Sequence, residues 1–461
     1  MKKILEYNFN FFELLGAAFN LLFLGCAIVL YPSYILLFLI SSILFWVFYV
    51  YPKFGLSLSI MTLCVFGLSL DIVGFDVSIT KYLSVVLGIA YGFNCIIAIL
   101  KKKIKFKDLK FSYWIPFLLF FLVQLYGVIF EVGDIFYSFK FIVFSYFAYI
   151  ALPINIIKNK SDFIKLLKIY FFSMGFISFC YLIYFVFNFV FTGDLAFVLS
   201  LEDQFIFPVV YLFFGEQLIL SIASGFILYD MSSSVRLRKL INFFIACLFI
   251  SNLFVFSRAT FISALALLAF RYIFFKKGEK ISFNRINLKK YLKKSIYVLF
   301  VFLAIYFSYF QVIKSVRFYR NSISSSSEAR IDFIKEGVRS FKEKPILGYG
   351  PGSNKEVINS YLIQTRYGEA SDAHSVVQSL FVETGIIGFV LFIYIFLSIF
   401  IKLCKKMKRS DLKEGKVYFS FINFLFIAFI MQIVSVNYYT DKLIFPLGLC
   451  IIYLEINKKY E

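Results

Sequence analysis

The sequence predicts an all-α, polytopic membrane protein of about 14 transmembrane helices, with one long extracytoplasmic loop that contains an amphipathic helix. Three observations lead there. The chain of 461 residues is 61% hydrophobic, whereas a soluble domain averages near half apolar. Its apolar residues form continuous blocks of roughly 18 to 25, the length a helix needs to cross about 30 Å of hydrocarbon. Its basic residues collect between alternate blocks, as they do in membrane proteins of fixed orientation. A soluble fold would have to hide all these blocks from water, and they lack the apolar–polar alternation of a membrane β-barrel.

The spans fall near 11–30, 33–50, 54–71, 82–100, 113–131, 136–157, 169–192, 205–229, 240–256, 258–275, 295–313, 376–401, 417–436 and 442–455. Two of them abut at Ser257 and Arg258. The basic connections are MKK, KKKIKFKDLK, KNKSDFIKLLK, SSSVRLRKL, KKGEKISFNRINLKKYLKK and KLCKKMKRSDLKEGK. The intervening ones are poor in basic residues and often acidic: DIVGFDVSITK, EVGD, FTGDLAFVLSLEDQ and NYYTD. The positive-inside rule then places both termini in the cytoplasm, with Ser257-Arg258 and the segment 314–375 outside. The chain divides into helices 1–11 (1–313), the long outer loop (314–375), and helices 12–14 with a short cytoplasmic tail (376–461).

A formal charge of +21 would suggest nucleic acid in a soluble protein. Here the cations flank membrane spans, so orientation and lipid headgroups account for them, and nucleic acid is not an expected partner. The seven cysteines include no CxxC and nearly all sit in apolar runs, the pattern of buried free thiols. With one histidine and no cysteine cluster, no metal site is expected. No cleavable signal peptide is evident, because MKK is followed by a polar stretch and a full-length span.

The long outer loop has internal structure. In SSSSEARIDFIKEGVRSFKEKP, Ser325 and Glu328 have capping-box spacing. Ile331, Ile334, Val338 and Phe341 would share one apolar helical face, and Pro345 ends the helix. Such a helix lies at the headgroup level or covers a cavity. ILGYGPGSN follows as a sharp turn. It is no Walker loop, since GK[ST] is missing and no strand precedes it, and as a phosphate loop its signal is weak. Next comes AHSVVQSLFVETGIIGF, which holds the only histidine, His374, at the start of the twelfth span. Gly385 and Gly388 there suit close helix packing. Glu383, at membrane depth, is a functional candidate by default.

These segments resemble the O-antigen ligase and polymerase family of integral membrane glycosyltransferases. The resemblance rests on SRATFISALALLAF at an outer span start, on ARIDFIKEGVRSFKEKPILGYGPG, and on the histidine ahead of a span carrying Glu-x-Gly-x-x-Gly. It covers roughly 255–392. One departure is Ser375, where the family's histidine is often followed by Asn.

The resemblance implies transfer of saccharides from a polyprenyl pyrophosphate, with donor, acceptor and membrane lipids as partners. It also implies a bacterial inner-membrane location and an extracytoplasmic site. Arg258 and Arg330 would grip the pyrophosphate; guanidinium groups suit this because they stay charged and fork onto phosphate oxygens. The plain alternatives are a snorkelling arginine at 258 and a solvated helix face at 330. Arg317, Arg320 and Arg339 are secondary candidates. His374 would be the general base on the acceptor hydroxyl, since its unperturbed pKa lies near 6.5; contact with pyrophosphate or substrate orientation are the alternatives. Lys140, two turns inside the sixth span, either snorkels outward or meets a lipid phosphate. Glu216, near mid-span beside Gln217, needs a partner or a cavity.

No cofactor is expected. The leading functional reading is a polymerase of lipid-linked repeat units for O-antigen, capsule or another surface polysaccharide, with a chain-length regulator and a flippase as working partners. A ligase transferring finished glycan shares the leaving group. A flippase of lipid-linked sugars is the reading from a different class; it has little use for an outer loop holding the sole histidine, and no internal repeat is visible.

Overall fold

The computed structural model describes residues 35–64, 69–72, 75–192, 211–255, 257–274, 325–354, 357, 375–433 and 440–458. In chain order the helices are α1 (Ile35–Val50), α2 (Pro52–Thr62), α3 (Ile79–Leu100), α4 (Trp114–Phe130), α5 (135–156), α6 (Lys160–Thr192) and α7 (Tyr211–Met231). They continue as α8 (Val235–Phe254), α9 (Arg258–Phe274), α10 (Ser325–Glu343), α11 (Val376–Arg409), α12 (Leu412–Ile433) and α13 (Asp441–Asn457). Helix α5 is composite, with a widened π-helical middle at Lys140–Ala151. Six of these helices are long and apolar enough to cross a membrane. The chain is thus a helical, multi-pass membrane protein.

Two sequence expectations change. The span expected at 54–71 is the short helix α2, followed by strand β1 (Ser69–Ile72), which pairs antiparallel with β2 (Phe75–Ser78). Eleven residues rise only about 16 Å, too little to cross alone, so the run of apolar residues overstated the helix. The edges of the basic connections also differ. Helix α6 begins at Lys160 and α11 runs to Arg409, so their lysines and arginines ride on helical extensions rather than in loops. The expected spans at 11–30 and 295–313 lie outside the described residues.

Local chemistry fixes the helix starts. Asp134 caps α5 by accepting from Phe136 N at 2.8 Å, and Asn159 accepts from Asp162 N at 2.8 Å ahead of α6. Pro52 opens α2, where its missing N–H costs nothing. Helices α7, α12 and α13 form the centre, and nearly every residue of α13 is buried. Around them pack α5, α6, α8, α9 and α11, with α4 packed on α11 and α1–α3 at one edge.

The last turns of α7 and α9 carry an ionic contact. Arg271 on α9 forks onto Asp230 of α7 at 3.0 and 3.1 Å and reaches Ser420 of α12 at 3.2 Å. Its guanidinium lies 4.3 Å from the Phe226 ring centroid. A paired, hydrogen-bonded arginine is the form in which such a charge is tolerated among apolar helices.

Candidate functional site

The break between α8 and α9 falls where the sequence places it. Helix α8 ends at Phe254 and α9 begins at Arg258. Ser257, buried, accepts from Phe261 N at 3.0 Å through its carbonyl and from Thr260 N at 3.5 Å through Oγ. Gly215 on α7 makes room for this turn: a Cβ there would lie 2.8 Å from Thr260 Cγ2 and 3.0 Å from Val255 Cγ1. The next residue, Glu216, pairs with Lys442 at the start of α13, both buried. Gln217 then accepts from the Tyr170 hydroxyl at 2.6 Å. The partner that Glu216 requires is therefore a cation at the first turn of the last helix.

The second segment is built around a broken helix. Within α11, Gly385 adopts φ +60° and ψ −164°, and the helix kinks. The turn at 345–354 docks into the break. Tyr349 and Gly350 N–H groups donate to the carbonyls of Val382 and Glu383, each at 2.9 Å. Ile386 and Ile387 N–H groups donate to the carbonyls of Pro345 (2.9 Å) and Ile346 (3.3 Å). The backbone groups freed by the kink are thus satisfied by the turn, as they must be at membrane depth. Gly385 is there for the kink and the docked backbone, not for packing of one span on another; Gly388 faces the Thr384 side chain of its own helix.

The other side of the turn lies on the α4–α5 connection. Gly350 touches Gly127, and a Cβ on Gly350 would lie 2.6 Å from the Gly133 Cα. Asp134 N donates to Pro351 O at 2.8 Å. Lys344 pairs with Glu131, and Tyr349 donates to Glu343 at 2.7 Å. The EVGD connection and the GYGPG turn are therefore one contact surface. Sequence reasoning assigned both to one side of the membrane without joining them.

Helix α10 covers the start of α11. Gly337 receives the Gln378 side chain, and Gln378 donates to the Phe333 carbonyl. Phe341 and Phe381 meet edge to face at 4.9 Å. Ile334, Val338 and Phe341 face a cavity of about 540 Å³, completed by Phe381 and by Ile433 at the end of α12. Ser375, the residue after His374, lines it as well.

The two segments open at one end of the bundle. Only Ser410 and Asp411 separate α11 from α12, so the start of α11 and the end of α12 share a side. Phe270, late in α9, lies 5.8 Å from Phe419, early in α12, so α9 also runs antiparallel to α12. The first residue of α9, Arg258, and Ser375, just ahead of α11, therefore stand at the same end.

The other predicted residues separate into three groups. His374, Arg317 and Arg320 lie outside the described residues, as do the side chains of Arg258 and Arg330, whose backbones belong to α9 and α10. Arg339 is exposed and stands 3.7 Å from Glu343 one turn on. Lys140 is half-buried, its Nζ 4.5 Å from the Tyr137 ring centroid, and Tyr137 is the ring that Gly352 abuts. Glu383 is buried at the kink. Sequence reasoning missed Lys442, Gln378 and the Gly127–Gly133 seat. The glycines of GVIFEVGD were the available signal for that seat.

Residues 243–393, which run from within α8 into α11, match the model of a family described as O-antigen ligase. No curated protein sequence matches the chain.

Proposed function

We propose that this membrane protein of the O-antigen ligase/polymerase family polymerises polyprenyl-pyrophosphate-linked oligosaccharide repeat units into a surface polysaccharide. The site lies on the outer face of the bacterial inner membrane, with both termini in the cytoplasm. The observation that carries this reading is the common end shared by the backbones of Arg258 and Ser375 inside the matched segment. The apolar cavity beside Ser375 supports it, because a polyprenyl chain needs a dry surface next to the reacting diphosphate.

In this reading His374 takes the proton of the acceptor hydroxyl. The hydroxyl oxygen bonds to the anomeric carbon as the bond from that carbon to the pyrophosphate oxygen breaks. The electron pair leaves with the pyrophosphate, whose growing charge Arg258 and Arg330 neutralise by forked hydrogen bonds. The polyprenyl chain stays in the membrane beside α10 and α11. No metal takes part.

Purified protein with a polyprenyl-pyrophosphate oligosaccharide, in detergent and without a gradient, tests the proposal. Chain growth with release of polyprenyl pyrophosphate is expected. Removing a general base lowers rates roughly 10²–10⁴-fold, and removing one electrostatic donor about 10²–10³-fold. His374→Ala and Arg258→Ala should fall in those ranges at unchanged expression. Normal product from either variant refutes its role. The family description also favours a second reading, a ligase. Transfer of preformed polymer to a separate lipid or protein acceptor, without growth of the repeat chain, would select it.

A further inference from the structure

Helices α3 and α5 stand apart along a groove of about 340 Å³ that no function assigned above uses. Gly88 and Gly92 line it from α3, and Phe144, Phe147 and Leu152 from α5. A pair of glycines four residues apart in a membrane helix ordinarily receives another helix. Here, among the described residues, a Cβ on Gly92 would meet nothing within 4 Å, and one on Gly88 only Leu152 Cδ1 at 3.5 Å. The groove follows α3 from Ser84 to Cys95, about 17 Å of helix rise. That is close to half of a hydrocarbon core about 30 Å thick, the depth of one leaflet.

At its Cys95 end the groove meets a polar recess; the two share Tyr91, Leu109 and Asn155. Asn155 ties the basic connection to α5, accepting from Lys110 N at 2.9 Å and donating to Lys110 O at 2.9 Å. The recess presents Lys110 and Lys158 together with Asp108 and Glu455. Asp108 is engaged by the Lys105 backbone at 2.8 Å. Glu455 is paired with Lys458 and stands 3.8 Å from Lys110. Lys158 has no acidic partner among the described residues, and the connection that holds Lys110 also carries Lys101, Lys102, Lys103, Lys105 and Lys107. Phe106, exposed and stacked on Phe111 at 6.1 Å, is an interfacial anchor beside these cations.

We propose that this groove and recess bind one anionic phospholipid of the leaflet that contacts the basic connections. One acyl chain fills the gap over Gly92, and the phosphodiester lies between Lys110 and Lys158. An acyl chain suits the gap better than a helix. Leu109 and Phe111, which line the groove, belong to the basic connection; basic connections flank the hydrocarbon core, where an acyl chain meets its headgroup but a crossing helix must continue. The cationic mouth selects an anionic headgroup, each nearby lysine favouring it about fivefold.

Native mass spectrometry of the full-length protein, titrated with phosphatidylglycerol or phosphatidylcholine, tests the proposal. Wild-type protein should retain phosphatidylglycerol over phosphatidylcholine. Lys110→Ala/Lys158→Ala should weaken phosphatidylglycerol roughly 30-fold and leave phosphatidylcholine unchanged. Gly92→Leu, which fills the gap, should lose both lipids while the lysine variant reports independently of any folding defect. Equal retention of the two lipids by wild type, or unchanged phosphatidylglycerol binding in the lysine variant, overturns it. So does a Gly92→Leu protein that keeps its lipid; if wild type proves to be a dimer and Gly92→Leu a monomer, a second copy is the occupant.

Discussion

Replacing Gly385 with alanine tests whether the docked turn holds the broken helix. Its φ and ψ of +60° and −164° lie in a region open essentially to glycine alone, costing another residue about 1–3 kcal/mol. The new Cβ would also collide with the Ile346 backbone and lie 2.6 Å from Leu347 N, so the turn must move. Moving it disrupts the four backbone hydrogen bonds that join 345–350 to 382–387, each contributing a net 0.5–1.5 kcal/mol or about that. The combined loss is then about 3–9 kcal/mol, a large part of the roughly 5–15 kcal/mol typical of a folded domain. Gly415→Ala is the control: its Cβ would have only Met407 O, at 3.5 Å, as a neighbour. Helical alanine there should gain about 0.5–1 kcal/mol. Thermal unfolding in one detergent, with limited proteolysis across 343–354, reads both. Gly385→Ala should unfold at lower temperature and expose the turn, and Gly415→Ala should do neither. A Gly385→Ala protein with wild-type midpoint and protection refutes the reasoning.

Three further outcomes are expected. Glu216→Gln or Lys442→Met alone strands a buried charge and should destabilise by about 3–5 kcal/mol, while the double variant recovers most of the loss; additive losses in a thermal double-mutant cycle would disprove the pair. Arg271→Lys loses the fork onto Asp230 and should cost about 1–3 kcal/mol, read as a lower unfolding midpoint; no change would mean the guanidinium geometry is immaterial. In the proposed mechanism arginines, not a metal, neutralise the leaving group, so chelation with EDTA should leave product formation unchanged; a collapse restored by Mg²⁺ would sink that assignment.

Much of the bundle was legible because hydrocarbon imposes one pattern. Where apolar blocks were long, as in α3, α4 and α8, helices form within a few residues of expectation. The pattern failed at α2, where apolar residues continue past Thr62 while the helix does not. At the site, Ser257-Arg258 was readable as a break because a serine and a charge interrupt two apolar runs. The partner of Glu216 was not readable. Lys442 follows an outward connection and looks like an ordinary flanking cation, and only the packing of α7 against α13 brings the two together. Gly385 looked like a packing glycine because sequence spacing cannot reveal a positive φ.

The glycines of GYGPG and of ETGIIG look like two local features in the sequence, but physically they are halves of one. A kinked helix in the membrane frees two carbonyls and two N–H groups, and a tight turn carries unpaired groups of both kinds. Each is unfavourable alone; joined, they satisfy each other. The consequence reaches the site. Helix α10 leads directly into that turn, so the backbone of Arg330 is joined through it to the start of α11. The backbone of Arg258 is held by a different piece, the turn against Gly215 of α7. The two pieces meet through α12, which packs against both α9 and α11. The proposed convergence of Arg258 and Arg330 on one diphosphate therefore requires the seat of α10 on α11 to be fixed. Gln378 in the notch of Gly337, the Phe341–Phe381 pair and the docked turn together hold that seat.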